Sequence, residues 1–168
     1  MKSQPRWAYI SVGSNMGDPA ANCREGVRRL GIEPGVRLLA QSPFYRTAPM
    51  DYTDQAWFIN AAVKIHTQLP PLALLERLQA IQNALGRTPT VRFGPRTLDL
   101  DIIFYADLIL DDPLLKIPHP RMHKRRFVLQ PICDIDPCVV HPILGLSVQS
   151  LLNQSVVQDQ QIERCSNC

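Results

Sequence analysis

A chain of 168 residues, 45% hydrophobic and 20% charged, is long enough for one domain with a substantial core, and it has no apolar run near the ~20 residues that span a bilayer. Met1-Lys2-Ser3-Gln4-Pro5-Arg6 leads into a strand pattern rather than an apolar leader, so a cytoplasmic protein without membrane contact is expected. The net charge of +3 is mild, but eight of the 18 Lys and Arg residues fall between Arg87 and Arg126, which favours an anionic ligand.

Trp7 to Gly13 alternates and is rich in aromatic and branched residues, which predicts a first strand ending at Gly13-Ser14-Asn15. Asp18-Pro19 is an N-cap followed by proline at the first helical position, and Cys23, Val27 and Leu30 recur at helical spacing up to Gly31. Val36 to Gln41 reads as a second strand continuing loosely through Phe44 to Thr47, and Pro49 opens a loop that lasts to about Gln55. Phe58 to Thr67 is a third strand, with Ile59, Ala61, Val63 and Ile65 on one face and Phe58 and Asn60 on the other. Pro70-Pro71 starts a second helix whose stripe is Leu74, Leu78, Ile81 and Leu85, closed by Gly86.

The fourth long strand carries the chemistry. In Leu98-Asp99-Leu100-Asp101-Ile102 the apolar residues share one face and the two acids the other. Carboxylates at this spacing lie roughly 6 to 7 Å apart at their backbones and repel by about 2 to 3 kcal/mol at an effective dielectric near 20. A divalent cation turns that cost into binding energy; taken alone, the pair also fits a solvated edge strand. Magnesium uses one or two protein carboxylates and takes its other ligands from water and phosphate, whereas zinc would call for histidines that this strand lacks.

The element order, strand, helix, strand, strand, helix, strand, predicts an α+β fold. It is that of the ferredoxin-like split βαβ core, an antiparallel sheet with helices on one face. A short strand at Leu108 to Leu110 and a C-terminal helical extension around Ser147 to Leu152 follow, and the tail from about 158 is expected to fray. Five cysteines without a dense framework predict reduced thiols, with Cys23, Cys133 and Cys138 packed; Cys165 and Cys168 have zinc-site spacing but no second pair. Neither GxxxxGK[ST] nor GxGxxG occurs, so side chains and metal would have to hold any nucleotide phosphates. Arg87, Arg92 and Arg96 precede the acids, and His119, Arg121, Lys124, Arg125 and Arg126 follow. Guanidinium groups on both sides of an acidic pair point to phosphoryl-type transfer.

The run Phe93-Gly94-Pro95-Arg96-Thr97-Leu98-Asp99-Leu100-Asp101-Ile102 resembles the signature of the 6-hydroxymethyl-7,8-dihydropterin pyrophosphokinase family of the folate pathway. Gly13-Ser14-Asn15, Ser42 to Thr47, Phe58 to Val63, Leu85-Gly86-Arg87 and Ile117-Pro118-His119 match in family order, so the resemblance covers about Tyr9 to Pro131 of a single domain. It implies diphosphate transfer from ATP to the pterin hydroxymethyl oxygen, with AMP leaving and two Mg²⁺ ions held by Asp99 and Asp101. By the same resemblance Arg87 and Arg96, with Asp101, are catalytic. ATP is met by Leu75, Gln79, Ile102, Leu115, Lys116, His119 and Arg125, and the pterin by Thr47, Ala48, Pro49, Met50, Phe58, Asn60, Phe93 and Phe127. The loop from Arg87 to Pro95 is expected to close over ATP.

The sequence departs from the usual pattern at Phe93, where tryptophan is common, at Phe58 for tyrosine and at Gln82 for glutamate. A loop one residue shorter after Arg87, with Pro89 in place of an arginine, and Leu114 and Pro120 in place of Arg and Tyr complete the list. The partners implied are ATP and a hydroxymethyl dihydropterin, with no nucleic acid, and a monomer is expected. Three other readings stand beside this one: a non-catalytic pterin- or ATP-binding paralogue, a metal-dependent phosphodiesterase, and an RNA-binding ferredoxin-like module.

Overall fold

The computed structural model describes residues 4–86 and 92–168. Its main sheet contains β1 (Arg6–Ser14), β2 (Val36–Gln41), β3 (Tyr45–Thr47), β4 (Phe58–Thr67), β5 (Asp99–Tyr105) and β8 (Ile162–Arg164). The order is β5-β1-β4-β3-β8, with β2 also pairing β4, and every pairing is antiparallel. Two helices, α1 (Pro19–Gly31) and α2 (Pro71–Ala84), complete the ferredoxin-like core. Asp18 caps α1, its carboxylate accepting from the Ala21 amide at 3.1 Å, and Gly86 takes a φ of +83° as the chain leaves α2.

The face holding Ala8, Ile10, Val12, Val63, Ile65, Leu98, Leu100 and Ile102 packs against Cys23, Val27 and Leu30 of α1 and Leu74, Leu78 and Ile81 of α2. This is the helix-covered face that the periodicity predicts. The opposite face, on which no helix was expected, is covered in part. Tyr9, Ala62, Ile103 and Phe104 form a second core with Val128, Leu129 and Ile132 of α3 (Arg126–Ile135) and Val148, Leu151 and Leu152 of α4 (Val148–Leu152). Pro131 lies inside α3, which hid that helix from the sequence reading, since an internal proline normally ends one.

A bulge makes this second core possible. Ile10 of β1 pairs with Ile102 of β5, but the next residue, Tyr9, pairs with Phe104. The extra residue, Ile103, resets the alternation of β5, so Ile103 and Phe104 both join the second core while Tyr105 returns to the first.

Three other expectations are corrected. The short strand begins at Leu110: β6 (Leu110–Asp111) pairs with β7 (Lys116–Ile117). The tail does not fray. After α5 (Ser155–Gln158), β8 pairs with β3, and the Cys165 amide donates to the Phe44 carbonyl at 2.9 Å. Exposed backbone on β3 recruits that strand, a pairing that a polar local sequence does not reveal. Cys165 and Cys168, whose Cα atoms lie 5.7 Å apart, form a disulfide, whereas Cys23 and Cys133 are buried thiols and Cys138 is exposed rather than packed. No helix among the described residues is long and apolar enough to cross a membrane.

Leu78 has no exposed surface and sits between α2 and the sheet. Leu78→Ala is expected to cost about 2–5 kcal/mol, read as a lower urea midpoint.

Candidate active site

On the second face, beyond the Tyr9–Phe104 core, the side chains become small or polar and a cavity of about 130 Å³ opens. The register explains it. Ser11 of β1 pairs with Asp101 of β5 and Ala62 of β4, and Gly13 pairs with Asp99 and Asn60. The acids thus stand on one side of two of the smallest residues, with Asn60 on the other, and the three strands form a shallow floor. A Cβ on Gly13 would lie 2.5 Å from Asn60 Oδ1, so only glycine leaves this amide in place. Asn60 Nδ2 donates to Thr47 Oγ1 at 2.7 Å, which aims the buried amide from β4 toward β3.

β5 is an edge strand, and its outward amide at Leu100 would lack a strand partner. Gln82 of α2, 3% exposed, accepts from it at 2.8 Å. The residue between the two acids is therefore tied to the helix behind the sheet, which gives the glutamine a role in holding Asp99 and Asp101 in register.

The walls come from two loops joined through Asn15. Its amide nitrogen donates to Gln55 Oε1 at 2.9 Å and to the Ala56 carbonyl at 3.0 Å, while its Oδ1 accepts from the Arg96 amide at 2.8 Å. Gln55 in turn donates to the Phe93 carbonyl at 2.8 Å. Phe93 has a φ of +59°, a conformation that non-glycine residues hold only where tertiary contacts enforce it.

Cations close the remaining side. Arg125 lines the cavity, and its charge is felt together with those of Asp51, Asp99 and Asp101; burial pulls its pKa down, and the three carboxylates oppose that shift. His119 lies nearby. Burial first, then Arg125, lower its pKa to about 4 against the opposing pull of Asp99, so the imidazole is neutral at pH 7. Its Nδ1 accepts from the Arg121 amide at 3.2 Å, leaving the proton on Nε2.

Of the residues expected to meet the pterin, Thr47, Ala48, Pro49, Met50, Phe58, Asn60, Phe93 and Phe127 all line this one cavity, as do Arg96, Asp99, Asp101 and Arg125. The others lie apart from its lining. Ile102 and Leu115 are buried in the first core, where only their backbone could meet a ligand, and Leu75 packs against that core. Gln79 is exposed on α2, and Lys116 pairs with Asp111. Arg87 and most of the loop expected to close lie outside the described residues. Sequence reasoning missed Ser11, Gly13, Asp51, Gln55 and Gly94, all of which line the cavity. The alternation of β1 could have flagged Ser11 and Gly13; Asp51 and Gln55 sit in a loop with no period to read.

Residues 9–137 match the family model described as 7,8-dihydro-6-hydroxymethylpterin-pyrophosphokinase (HPPK). The chain belongs to this family. It is 47% identical over 128 residues to the 2-amino-4-hydroxy-6-hydroxymethyldihydropteridine pyrophosphokinase of Bacillus subtilis, covering 76% of this chain and 77% of that protein. The enzyme of the same name from Methylorubrum extorquens is 45% identical over 133 residues, covering 79% and 84%. Folic acid synthesis protein fol1 of Pneumocystis carinii is 42% identical over 151 residues, 90% of this chain, but the chain spans only 20% of that protein's length. The fold is shared with wild-type HPPK-DHPS of Plasmodium falciparum, at a TM-score of 0.71 and 17% identity over 89% of this chain and 43% of that one.

In this HPPK chain the floor at Gly13 is open to test. Gly13→Ala must displace the Asn60 amide and is expected to cost about 1–3 kcal/mol in urea unfolding. The double variant Gly13→Ala/Asn60→Ala should cost less than the two singles summed, because the clashing partner is gone.

Proposed function

We propose that the protein transfers the terminal diphosphate of ATP to the hydroxymethyl oxygen of 6-hydroxymethyl-7,8-dihydropterin. The oxygen attacks the β-phosphorus, the bond from that phosphorus to the α,β-bridging oxygen breaks, the hydroxyl proton is released, and AMP leaves. The observation that carries this reading is that Asp99 and Asp101 share a cavity with Asn60, Thr47, Phe58, Phe93 and Phe127, so acids suited to a metal sit beside a slot suited to a flat heterocycle. Membership of the HPPK family and the names of its bacterial relatives support it.

The acids fit a hard divalent cation. Both are carboxylates on one wall, and among the described residues no group of three or more His, Cys, Asp and Glu side chains could hold a metal, so water and phosphate oxygens would complete the shell, as magnesium prefers. When bound, two Mg²⁺ ions would neutralise charge on the triphosphate and on the attacking and leaving oxygens. The chain's own residues do the rest. Asn60 reads the pterin edge from a fixed position, Phe58, Phe93 and Phe127 supply apolar and stacking surface, and Arg96 and Arg125 stabilise phosphate charge without being able to lose their own.

His119, neutral with its proton on Nε2, offers a donor to the nucleotide. Leu75, Gln79, Ile102, Leu115 and Lys116 are assigned to the nucleotide outside the cavity, and Arg87 to the phosphates. The reading takes the 168 residues as a single cytoplasmic, monomeric pyrophosphokinase domain. The cover of α3 and α4 over the second sheet face removes the open platform that an RNA-binding module would need.

The test is AMP release from ATP. It should require both Mg²⁺ and the hydroxymethyl pterin, stop on chelation and resume when Mg²⁺ is restored; release without the pterin would indicate a phosphodiesterase, and none at all a binding paralogue. Asp101→Ala should lower turnover at least about a hundredfold, the scale of losing metal-held charge stabilisation, with an unfolding midpoint close to wild type.

A further inference from the structure

Asp51 stands at the mouth of the cavity and bridges two cations. Its Oδ1 accepts from Arg121 at 2.6 Å, and its Oδ2 lies 3.8 Å from Arg125. Arg121 has a second contact: its guanidinium lies 4.8 Å from the centroid of the Phe93 ring, where Arg92 also stacks at 4.9 Å. The 50s loop thus grips the ring of the 90s loop through one arginine held from both sides. A planar guanidinium can do this because its edge carries the hydrogen-bond donors while its face is free to stack.

Phe93 needs such restraint. Its backbone is in the left-handed region, the residue is 37% exposed, and its carbonyl is held by Gln55 from the same 50s loop. Gln55 fixes the backbone. The ring is stacked by the two arginines, and of these Arg121 is the one that an ion pair among the described contacts joins to the opposite loop.

We propose that Asp51 is a positioning residue for the heterocycle: by holding Arg121 against Phe93 it presets the ring that covers the pterin, and so sets pterin affinity rather than the rate of diphosphate transfer. The inference rests on the pyrophosphokinase reading and on Phe93 as a pterin contact. Asp51 itself need not touch the substrate. Its carboxylate also offsets the repulsion between Arg121 and Arg125 at the rim; the hydrogen bond from Arg121, with the charges of Arg121, Arg125 and Arg92, holds the Asp51 pKa down against the opposing effect of burial.

The experiment measures kcat and KM for each substrate in the full chain, together with direct binding of 6-hydroxymethylpterin by its fluorescence in the presence of Mg²⁺ and a non-hydrolysable ATP analogue. Asp51→Asn and Arg121→Gln should each raise the pterin KM and Kd about three- to tenfold, in line with one partly exposed ion pair coupled to one cation–π contact, with kcat and the ATP KM within about twofold. The two changes combined should do no more than either alone. An unchanged pterin Kd in Asp51→Asn would overturn the proposal, as would a lower ATP KM with unaltered pterin binding, which would make Asp51 a competitor of the phosphates. Wild-type enzyme that releases no AMP but binds the pterin with the expected Asp51 dependence would reject the transfer reading alone and leave the positioning role standing.

Discussion

The site depends on the register in which β1 lies between β4 and β5. Hydrogen bonding sets Ser11 opposite Asp101 and Gly13 opposite Asp99 and Asn60, and from that alignment follow both the depth of the cavity and the separation of its two chemistries. Slipping β1 by one residue would turn Val12 and Ile10 toward the cavity and bury Ser11 and Gly13 against α1 and α2. The first core resists this, because Ala8, Ile10 and Val12 have no exposed surface there. Packing on one side of the sheet thereby fixes the polar constellation on the other.

The same sheet face serves two purposes, and the bulge at Ile103 divides them. On one side of it, large residues meet α3 and α4 in the second core; on the other, carboxylates and an amide line the cavity. A β-bulge lets a strand keep its acids on the ligand side and still hand Tyr105 back to the first core, where its hydroxyl donates to the Leu69 carbonyl at 2.7 Å. Gln82 adds a further constraint by satisfying the edge-strand amide at Leu100, so the substitution for a more common glutamate keeps an acceptor oriented toward the backbone without placing a buried charge behind the acids.

Charges of both signs line the cavity. Asp99 and Asp101 repel each other, while Arg96 and Arg125 share the same cavity wall and His119 is kept neutral by burial. On the pyrophosphokinase reading proposed above, a field of mixed sign would suit a magnesium–triphosphate complex, because each partner would meet its opposite at a fixed place. Asn15 gives the rim its coherence. One buried side chain fastens the chain after β1 to the loop before β4 and to the segment before β5, so the three segments that border the cavity are held as a unit.

Most of the secondary structure was legible because its signals are local. Alternation marked β1, β4 and β5, and the Asp18-Pro19 cap and Leu74, Leu78, Ile81 spacing marked the helices. The acid pair and the aromatic and amide residues of the cavity stood out for the same reason, since parity alone separates Asp99 and Asp101 from Leu98, Leu100 and Ile102. What lay beyond the sequence was everything set by contact at long range. The helix containing Pro131 forms because its apolar face is buried against Tyr9 and Ala62, and β8 forms because β3 presents an open edge. The assignment of Ile102 and Leu115 to the nucleotide could not be weighed without knowing that their side chains face the first core. Ser11, Gly13, Asp51 and Gln55 joined the site only when strand register and loop closure brought them there. The sequence by itself determined which faces are apolar and which residues carry charge, because those follow from side-chain chemistry and backbone period. The tertiary structure decided which of those charged and small residues share one cavity, because hydrogen-bond register and packing act between segments that no local pattern connects.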